Sequence, residues 1–295
     1  MFKGIRRSIR KRRTLGKVRK NDQYNRDIRN IHRADTKNIG DFYCAPHQYF
    51  DRLKGKELDI FTYKSEDKKV IKTFIDEITN NSLIIGGGGL LNRNAFEKQL
   101  KTFELLTKSK KKIVLWGIGH NSKYKKYFDN ITEYNINVND FKVAGTRDYS
   151  MPGEYVPCVS CLHPIFDQKF DIKQEMGVVF HKDILNDSKI IGKFKDYPTA
   201  ANNMPLDRLI GFIGKTEKII TNSYHVMYWS MLMGRKVAVV PNSSKFYDFK
   251  YDPVITSFGR AVNDVHKAQV YEGILDECRE INHKFAEKAF DYLNS

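Results

Sequence analysis

Short apolar runs alternate with amphipathic segments along most of the chain. The apolar runs, which we predict to be strands, are 57–63, 82–89, 112–122, 141–150, 175–183, 189–194, 218–222 and 236–241. The segments with helical spacing of apolar residues are 68–80, 95–111, 205–215, 224–233 and 264–292. Because strands alternate with helices and several strands end in glycine, the pattern predicts an α/β fold with doubly wound parallel sheets.

A proline-rich stretch at 152–167 interrupts this alternation, and a second series of strands and helices follows it. A chain of 295 residues is long enough for two domains of about 150 residues each. We therefore expect an N-terminal Rossmann-like domain at 34–165 and a C-terminal one at 166–295. We expect the two to face each other across a cleft in a GT-B-like arrangement, with ligands beyond the carboxyl ends of the strands.

Positive charge is concentrated at the N-terminus. Residues 1–33 contain 13 basic and two acidic side chains, so they supply +11 of the formal net charge of +16. Such a basic arm could contact an anionic membrane surface, a nucleic acid or another partner, or it could simply be solvated. Phe2, Ile5 and Ile9 fall near helical spacing, which favours a short amphipathic helix at a membrane surface. No nucleic-acid-binding signature follows the arm, so nucleic acid is the least favoured partner.

No apolar run approaches the about 20 residues that span a bilayer, and no apolar signal-peptide region follows the first residues. We therefore expect a cytoplasmic protein, held at the inner face of the membrane if the arm binds lipid. Cys44, Cys158, Cys161 and Cys278 are expected to be free thiols. The spacing of the first three with His47 leaves a zinc site as an alternative, although we predict neither metal nor cofactor.

Two ionisable residues follow predicted strands directly. His225 lies in the first turn of the apolar segment 224–233, where the helix dipole favours anions and a neutral imidazole that can act as a base. The structural alternative is a histidine hydrogen-bonded at a helix start. Arg147 could hold a carboxylate or phosphate through two parallel hydrogen bonds, with Asp148 orienting it. An ordinary Arg–Asp surface pair is the alternative there.

Other polar or glycine-rich stretches also follow strands. The four glycines at 86–89 allow a backbone to approach a ligand closely, although no P-loop lysine follows them. Residues 242–246 place two hydroxyls and a lysine after a strand, which suits a phosphate. Each stretch alone is a weak signal, whereas their common placement predicts one site at the strand ends.

The ordered set of stretches resembles the polysaccharide pyruvyl transferase family. The matching stretches are NIGD (38–41), IIGGGGLL (84–91), GIG (117–119), GTRDY (145–149), PCVSC (157–161), TNSYHVMYWSMLMGRKV (221–237) and PNSSKF (241–246). The resemblance spans about residues 35–250 and excludes the basic arm. It implies a GT-B-like fold and the transfer of an enolpyruvyl-derived unit from phosphoenolpyruvate to a sugar, which gives a cyclic pyruvate ketal in exopolysaccharide or capsule assembly.

The resemblance also implies residue roles. Arg147 would hold phosphoenolpyruvate, and His225 would act as acid and base. The further residues assigned from the motifs are Gly87, Gly88, His120, Asn121, Ser223, Tyr224, Ser243, Ser244 and Lys245 for the donor, and Asn38, Asp41 and His181 for the acceptor. Family members often carry an arginine at the position of Ser223, so Lys245, Arg235 or another basic residue would have to replace that cation.

Three functions follow from these patterns. The first is pyruvyl transfer to a sugar of a surface glycan or its lipid-linked precursor. The second, suggested by Ser223, is a GT-B glycosyltransferase that uses another anionic donor, a sugar nucleotide, in the same cleft. The third is a non-catalytic protein on this fold that binds RNA or an acidic polymer through its basic arm.

Overall fold

A computed structural model describes residues 2–295, with the backbone alone described at residues 2–7. The α-helices in chain order are α1 (Phe2–Lys20), α2 (Ile39–Tyr43), α3 (Lys68–Asn80), α4 (Glu97–Thr107), α5 (Ser188–Gly192), α6 (Leu206–Gly214), α7 (Tyr224–Leu232), α8 (Ala261–Asp264) and α9 (Ile274–Asn294). The strands are β1 (Ile28–His32), β2 (Glu57–Asp59), β3 (Ser82–Ile85), β4 (Gly88–Leu91), β5 (Ile113–His120), β6 (Val143–Thr146), β7 (Glu154–Tyr155), β8 (Gln174–Phe180), β9 (Thr199–Ala201), β10 (Thr216–Thr221), β11 (Lys236–Val239) and β12 (Val254–Ile255).

The strands form two parallel sheets. The first has the order β2-β1-β3-β5-β6-β7, and β4 pairs with the carboxyl-terminal part of β5. The second has the order β12-β11-β10-β8-β9. Every residue of β3 and β5 is buried, as expected for strands covered by helices on both faces. The α/β class with parallel sheets that the sequence predicts is therefore confirmed.

Helices cover both faces of the first sheet. On one face, Val18 of α1 packs in the same core as Phe74 of α3 and Phe103 of α4. On the other face, the ring of Phe285 in α9 meets Trp116 of β5 edge-on, with 5.1 Å between ring centroids. The last helix of the chain therefore stabilises the sheet built from its first half.

The segment predicted as a basic arm, 1–33, is part of this sheet. Its strand β1 pairs with β2 and β3, and a domain boundary after residue 33 would divide the sheet. The predicted helix is present as α1, and its residue Leu15 is buried in the core. The side chains of Phe2 and Ile5 lie outside the described residues, whereas that of Ile9 is 44% exposed.

The helix predicted over 264–292 differs from the structure at its start and in its location. The backbone is extended at Ala268, where ψ is 142°, and α9 begins only at Ile274. Its second half then packs on the first sheet, through Phe285 and Ala289 among others. The predicted C-terminal domain at 166–295 includes α9, whereas α9 packs on the sheet of the N-terminal half.

The strand predicted over 189–194 is wrong, because this segment forms helix α5. A side-chain oxygen of Asp187 accepts hydrogen bonds from the amides of Lys189 and Ile190, both at 3.1 Å, and so caps the helix. Ile190 and Ile191 are partly buried against the core of the second sheet. A pair of isoleucines satisfies a strand and a short helix equally well, so the pattern alone did not separate the two.

We expect Phe285→Ala to lower the free energy of unfolding by about 3–5 kcal/mol, because it removes a fully buried ring from the contact between α9 and β5. Urea denaturation followed by circular dichroism measures this change. The control is Val270→Ala, since Val270 is 44% exposed and its truncation should change stability by no more than about 0.5 kcal/mol. An equal, small effect of both substitutions would contradict the described packing of α9.

Candidate functional site

A cavity of about 330 Å³ lies where loops from the carboxyl ends of both sheets meet. Gly87 follows β3 and Asn121 follows β5 in the first sheet, whereas His181 follows β8 and Lys245 lies beyond β11 in the second. In parallel sheets, ligands bind at this edge. The cavity is therefore the candidate functional site.

The structure brings the predicted site residues to this region in two layers. Those that line the cavity are Asn38, Asp41, Gly87, Gly88, Asn121, His181 and Lys245. Those that are buried and do not line it are His120, Arg147, Ser223, Tyr224, His225, Ser243 and Ser244. Both predicted catalytic residues, Arg147 and His225, belong to the second layer.

Sequence reasoning missed several charged residues of the lining. These are Arg33, Asp35, Arg93, Lys123, Lys182 and Asp183. Arg33 pairs with Asp59, and Lys182 pairs with Asp35 at 2.9 Å. Arg33 directly follows β1, so its position after a strand could have identified it. This strand was not predicted from the sequence, and Arg33 was therefore missed. Arg93 and Lys123 lie in loops without a recognisable motif.

Arg93, Lys123 and Lys245 form a cationic cluster in the cavity. None of them has an ion-pair partner in the described part of the chain, and the ammonium of Lys123 donates only to the backbone oxygen and side chain of Asn242. Burial and the charges of Lys123 and its neighbours lower the pKa of Lys245 to about 7. Burial and the charge of Arg93 lower the pKa of Lys123 as well. Because the three cations destabilise one another, a bound anion would stabilise all of them.

The guanidinium of Arg147 is buried behind this lining. All three of its nitrogens lack a hydrogen-bond acceptor among the described residues, and its carbon Cζ lies 3.9 Å from the ring centroid of Tyr224. Within the described part of the chain, Asp148 makes no hydrogen bond to this guanidinium, although the two charges interact. The Oδ2 atom of Asp148 instead accepts from the amide of His120 at 2.6 Å and the hydroxyl of Tyr134 at 3.0 Å. Arg147 thus keeps its full hydrogen-bonding capacity for another acceptor.

Arg147 lies close enough to the cavity to act on its lining electrostatically. Its charge opposes the burial-driven rise in pKa of Asp41 and of the Cys44 thiol, and both residues line the cavity. The charge of Arg147 therefore adds to the positive potential at this wall of the cavity.

His225 is a neutral, buried imidazole. Its Nε2 atom has no hydrogen-bond partner, so the alternative of a hydrogen-bonded histidine at a helix start finds no support in the described residues. Burial, followed by the charges of Arg147 and Lys245, holds the pKa of His225 well below its usual range. The sequence analysis expected a neutral imidazole because of the helix dipole, whereas burial is the larger cause.

Helix α2 covers His225 through a glycine. A Cβ atom placed on Gly40 would lie only 2.2 Å from Nδ1 of His225, so no larger residue fits there without movement. The helix is held by few polar contacts, among them a hydrogen bond of 3.2 Å from Asn202 Nδ2 to Asn38 Oδ1. Ile39 of α2 is also buried in the core around α7.

Ser244 connects the two sheets. Its hydroxyl is 2.7 Å from Nδ1 of His120 and accepts a hydrogen bond of 2.9 Å from the amide of Ser122. These two hydrogen bonds therefore hold the end of β5 against the loop that follows β11. The neighbouring hydroxyl of Ser243 is buried without a partner and could bind a ligand.

His181 lines the cavity, and a hydrogen bond to its ring determines which nitrogen carries the proton. Its Nδ1 atom accepts from the amide of Asp183 at 3.2 Å, which leaves the proton on Nε2. Burial and the charge of Lys245 lower the pKa of His181 to about 4, so the ring is neutral at pH 7. The amide of His181 donates to Asn222 Oδ1 at 2.7 Å, a contact that sequence reasoning missed.

Arg235 does not replace the missing arginine at Ser223. Its guanidinium donates to the backbone oxygen of Gly214 at 2.6 Å and does not line the cavity. The hydroxyl of Ser223 lies 3.5 Å from Nδ2 of Asn202, which also holds α2. Of the two replacements named from the sequence, only Lys245 lines the cavity, and the other basic residues Arg93 and Lys123 line it as well.

The four cysteines are free and buried. Within the described residues, no group of three or more His, Cys, Asp or Glu side chains is arranged to hold a metal. His47, a ligand in the zinc alternative, instead lies 3.1 Å from Asn30 Oδ1 and packs against His32. In the same part of the chain, no helix is both long and apolar enough to cross a membrane.

We expect sulfate to bind about tenfold more tightly at pH 6 than at pH 8. The protonated fraction of Lys245 falls by about this factor as the pH rises through its pKa of about 7. The pKa of His181 is too low for this ring to titrate in the same range. Isothermal titration calorimetry measures the affinities. The dependence should disappear in Lys245→Gln and persist in Lys195→Gln, an exposed control; the same pH profile in both would contradict the assignment.

We expect Gly40→Ala to lower the free energy of unfolding by about 1–3 kcal/mol, because the added methyl group collides with the imidazole of His225. The double substitution with His225→Ala should recover most of this loss, since the collision partner is gone. Chemical denaturation of the two single variants and the double variant measures the coupling. Additive losses would show that Gly40 and His225 do not touch.

No protein-family model matches the chain, and no curated protein matches it. Among solved structures, the chain is similar to a functionally uncharacterised protein from Klebsiella pneumoniae subsp. pneumoniae NTUH-K2044. The two share 16% sequence identity over 75% of this chain and 86% of that chain, with a TM-score of 0.43. A similarity at this level assigns no function, so the proposal below depends on the site itself and on the sequence motifs.

Proposed function

We propose that the protein transfers pyruvate, as a ketal, from phosphoenolpyruvate to two hydroxyls of a sugar in a surface glycan or its lipid-linked precursor. The observation that carries the proposal is a set of cations without acidic partners beside a neutral imidazole. Lys245, Lys123 and Arg93 line the cavity, and Arg147 and His225 lie directly behind it. This combination provides for an anionic substrate and for proton transfer.

The donor carries two anionic groups, a carboxylate and a phosphate. The guanidinium of Arg147, with three free nitrogens, suits the planar carboxylate, because it can form two parallel hydrogen bonds with it. Lys245, with Lys123 and Arg93, would hold the phosphate and replace the arginine that the family often has at Ser223. Because α2 covers His225 through Gly40, donor binding includes a displacement of α2.

The reaction then requires two proton movements and one leaving group. A sugar hydroxyl adds to C2 of phosphoenolpyruvate and loses its proton to a base, while C3 gains a proton and becomes the methyl group. The C2–O bond to phosphate breaks, and the second sugar hydroxyl adds to C2 and loses its proton as inorganic phosphate departs. His225 is neutral and can accept and return these protons, while the cations stabilise the departing phosphate.

The acceptor would occupy the remaining wall of the cavity. Asn38, Asp41 and His181 offer polar groups there, and Phe61 lies beside Phe96 with 4.9 Å between stacked rings. The hydroxyls of a sugar can meet these polar groups, whereas the Phe61 ring is already covered by Phe96 and by the ammonium of Lys64. Since both sheets contribute lining residues, we also propose two Rossmann-like domains that face each other across this cavity, in a protein of the cytoplasm.

A GT-B glycosyltransferase with a nucleotide-sugar donor is the second candidate. One observation favours it: Ser223 stands where the family arginine is often found. A thermal-shift comparison separates the two, because a ligand that binds the folded state raises its melting temperature. Stabilisation by sugar nucleotides and not by phosphoenolpyruvate would replace the first proposal with the second.

The activity test incubates the protein with phosphoenolpyruvate and candidate glycans. We expect phosphate release that depends on the acceptor, and a mass gain of one pyruvate ketal on the glycan. His225→Ala should lower kcat by about 10²–10⁴-fold, because it removes the proton-transfer group.

The matched control is His266→Ala, since His266 is exposed on the short turn after α8. It should leave kcat unchanged. Full activity in His225→Ala, or an equal loss in both variants, would refute the role proposed for His225.

A further inference from the structure

A second concave surface lies between helices α1 and α3. This groove has a volume of about 880 Å³, and its apolar residues include Ile9 of α1 with Ile71 and Ile75 of α3. Ile9 is 44% exposed and Ile71 is half-buried, so apolar surface remains uncovered in the groove. No residue of the proposed transferase site lines it, and the inference below does not depend on that reaction.

Unneutralised positive charge surrounds this apolar floor. Arg13 and Lys17 of α1 and Lys68 of α3 line the groove, and none has an ion-pair partner among the residues that the structure describes. The whole of α1 contains ten basic residues and no acidic one. Elsewhere along the groove, the charge of Lys72 is balanced by Asp76 at 2.5 Å.

We propose that this groove binds an anionic phospholipid at a membrane surface. One acyl chain would lie on the isoleucine floor, and the headgroup phosphate would meet Arg13, Lys17 and Lys68. Charge complementarity selects an anionic partner, and the apolar floor selects one with a hydrocarbon part. A nucleic acid would use the cations but would leave the isoleucines without a contact.

Vesicle flotation tests the proposal with the full chain. The protein should bind phosphatidylglycerol vesicles and not phosphatidylcholine vesicles. Each basic residue near an anionic surface contributes about a fivefold increase in partitioning. The triple variant Arg13→Gln, Lys17→Gln, Lys68→Gln should therefore bind phosphatidylglycerol about a hundredfold more weakly.

The matched control changes the same net charge elsewhere. Lys189, Lys193 and Lys195 are exposed around α5 and line none of the grooves described, so their triple glutamine variant should bind about as well as the unmodified protein. Equal losses in the two triple variants would overturn the proposal, because binding would then follow net charge and not the groove.

A third variant tests the apolar floor at constant charge. Ile9→Gln changes a side chain that is already largely exposed, so it should leave the fold intact and weaken vesicle binding about fivefold. Unchanged vesicle binding in Ile9→Gln would overturn the proposed chain-binding groove. So would failure to bind either vesicle while a single-stranded RNA binds and loses affinity in the Arg13, Lys17, Lys68 variant.

Discussion

The site depends on one constraint, the burial of the Arg147 guanidinium without an acceptor. A buried charge that lacks hydrogen bonds costs several kcal/mol, and each buried donor left unpaired adds about 1–3 kcal/mol. The ring of Tyr224, 3.9 Å away, compensates part of this cost through its π face. Asp148 gives no direct hydrogen bond to the guanidinium, because its carboxylate binds the amide of His120 and the hydroxyl of Tyr134. Within the described residues, this guanidinium therefore keeps all of its hydrogen-bond donors free.

The surrounding fold places this cation near the buried imidazole of His225. Arg147 follows β6 in the first sheet, and His225 lies in the first turn of α7 after β10 in the second. Both side chains contact the ring of Tyr224. The Ser244 hydroxyl fixes this arrangement through His120 and Ser122. The absence of a side chain at Gly40 then lets α2 close over the imidazole. The packing of α2 on His225 excludes water from the imidazole, and this burial keeps the pKa of His225 low.

Sequence patterns predicted the parallel α/β class and the placement of Arg147 and His225 at strand ends, because apolar periodicity and chain order determine both. They did not predict that Arg147 and His225 are buried behind the cavity lining, since the burial of His225 depends on how α2 packs. Arg93 and Lys123 carry no motif and reach the cavity only through the course of their loops. β1 was missed because a strongly basic flank concealed a five-residue strand, IRNIH, that contains two apolar positions.

The central claim is that the cations at the strand ends bind a donor with both a carboxylate and a phosphate. Calorimetric titration of the protein with phosphoenolpyruvate and, separately, with sulfate tests it most directly. We expect saturable binding of one phosphoenolpyruvate per chain, tighter than that of sulfate, with this advantage lost in Arg147→Gln. Equal affinities for the two anions, or an advantage that survives Arg147→Gln, would contradict it.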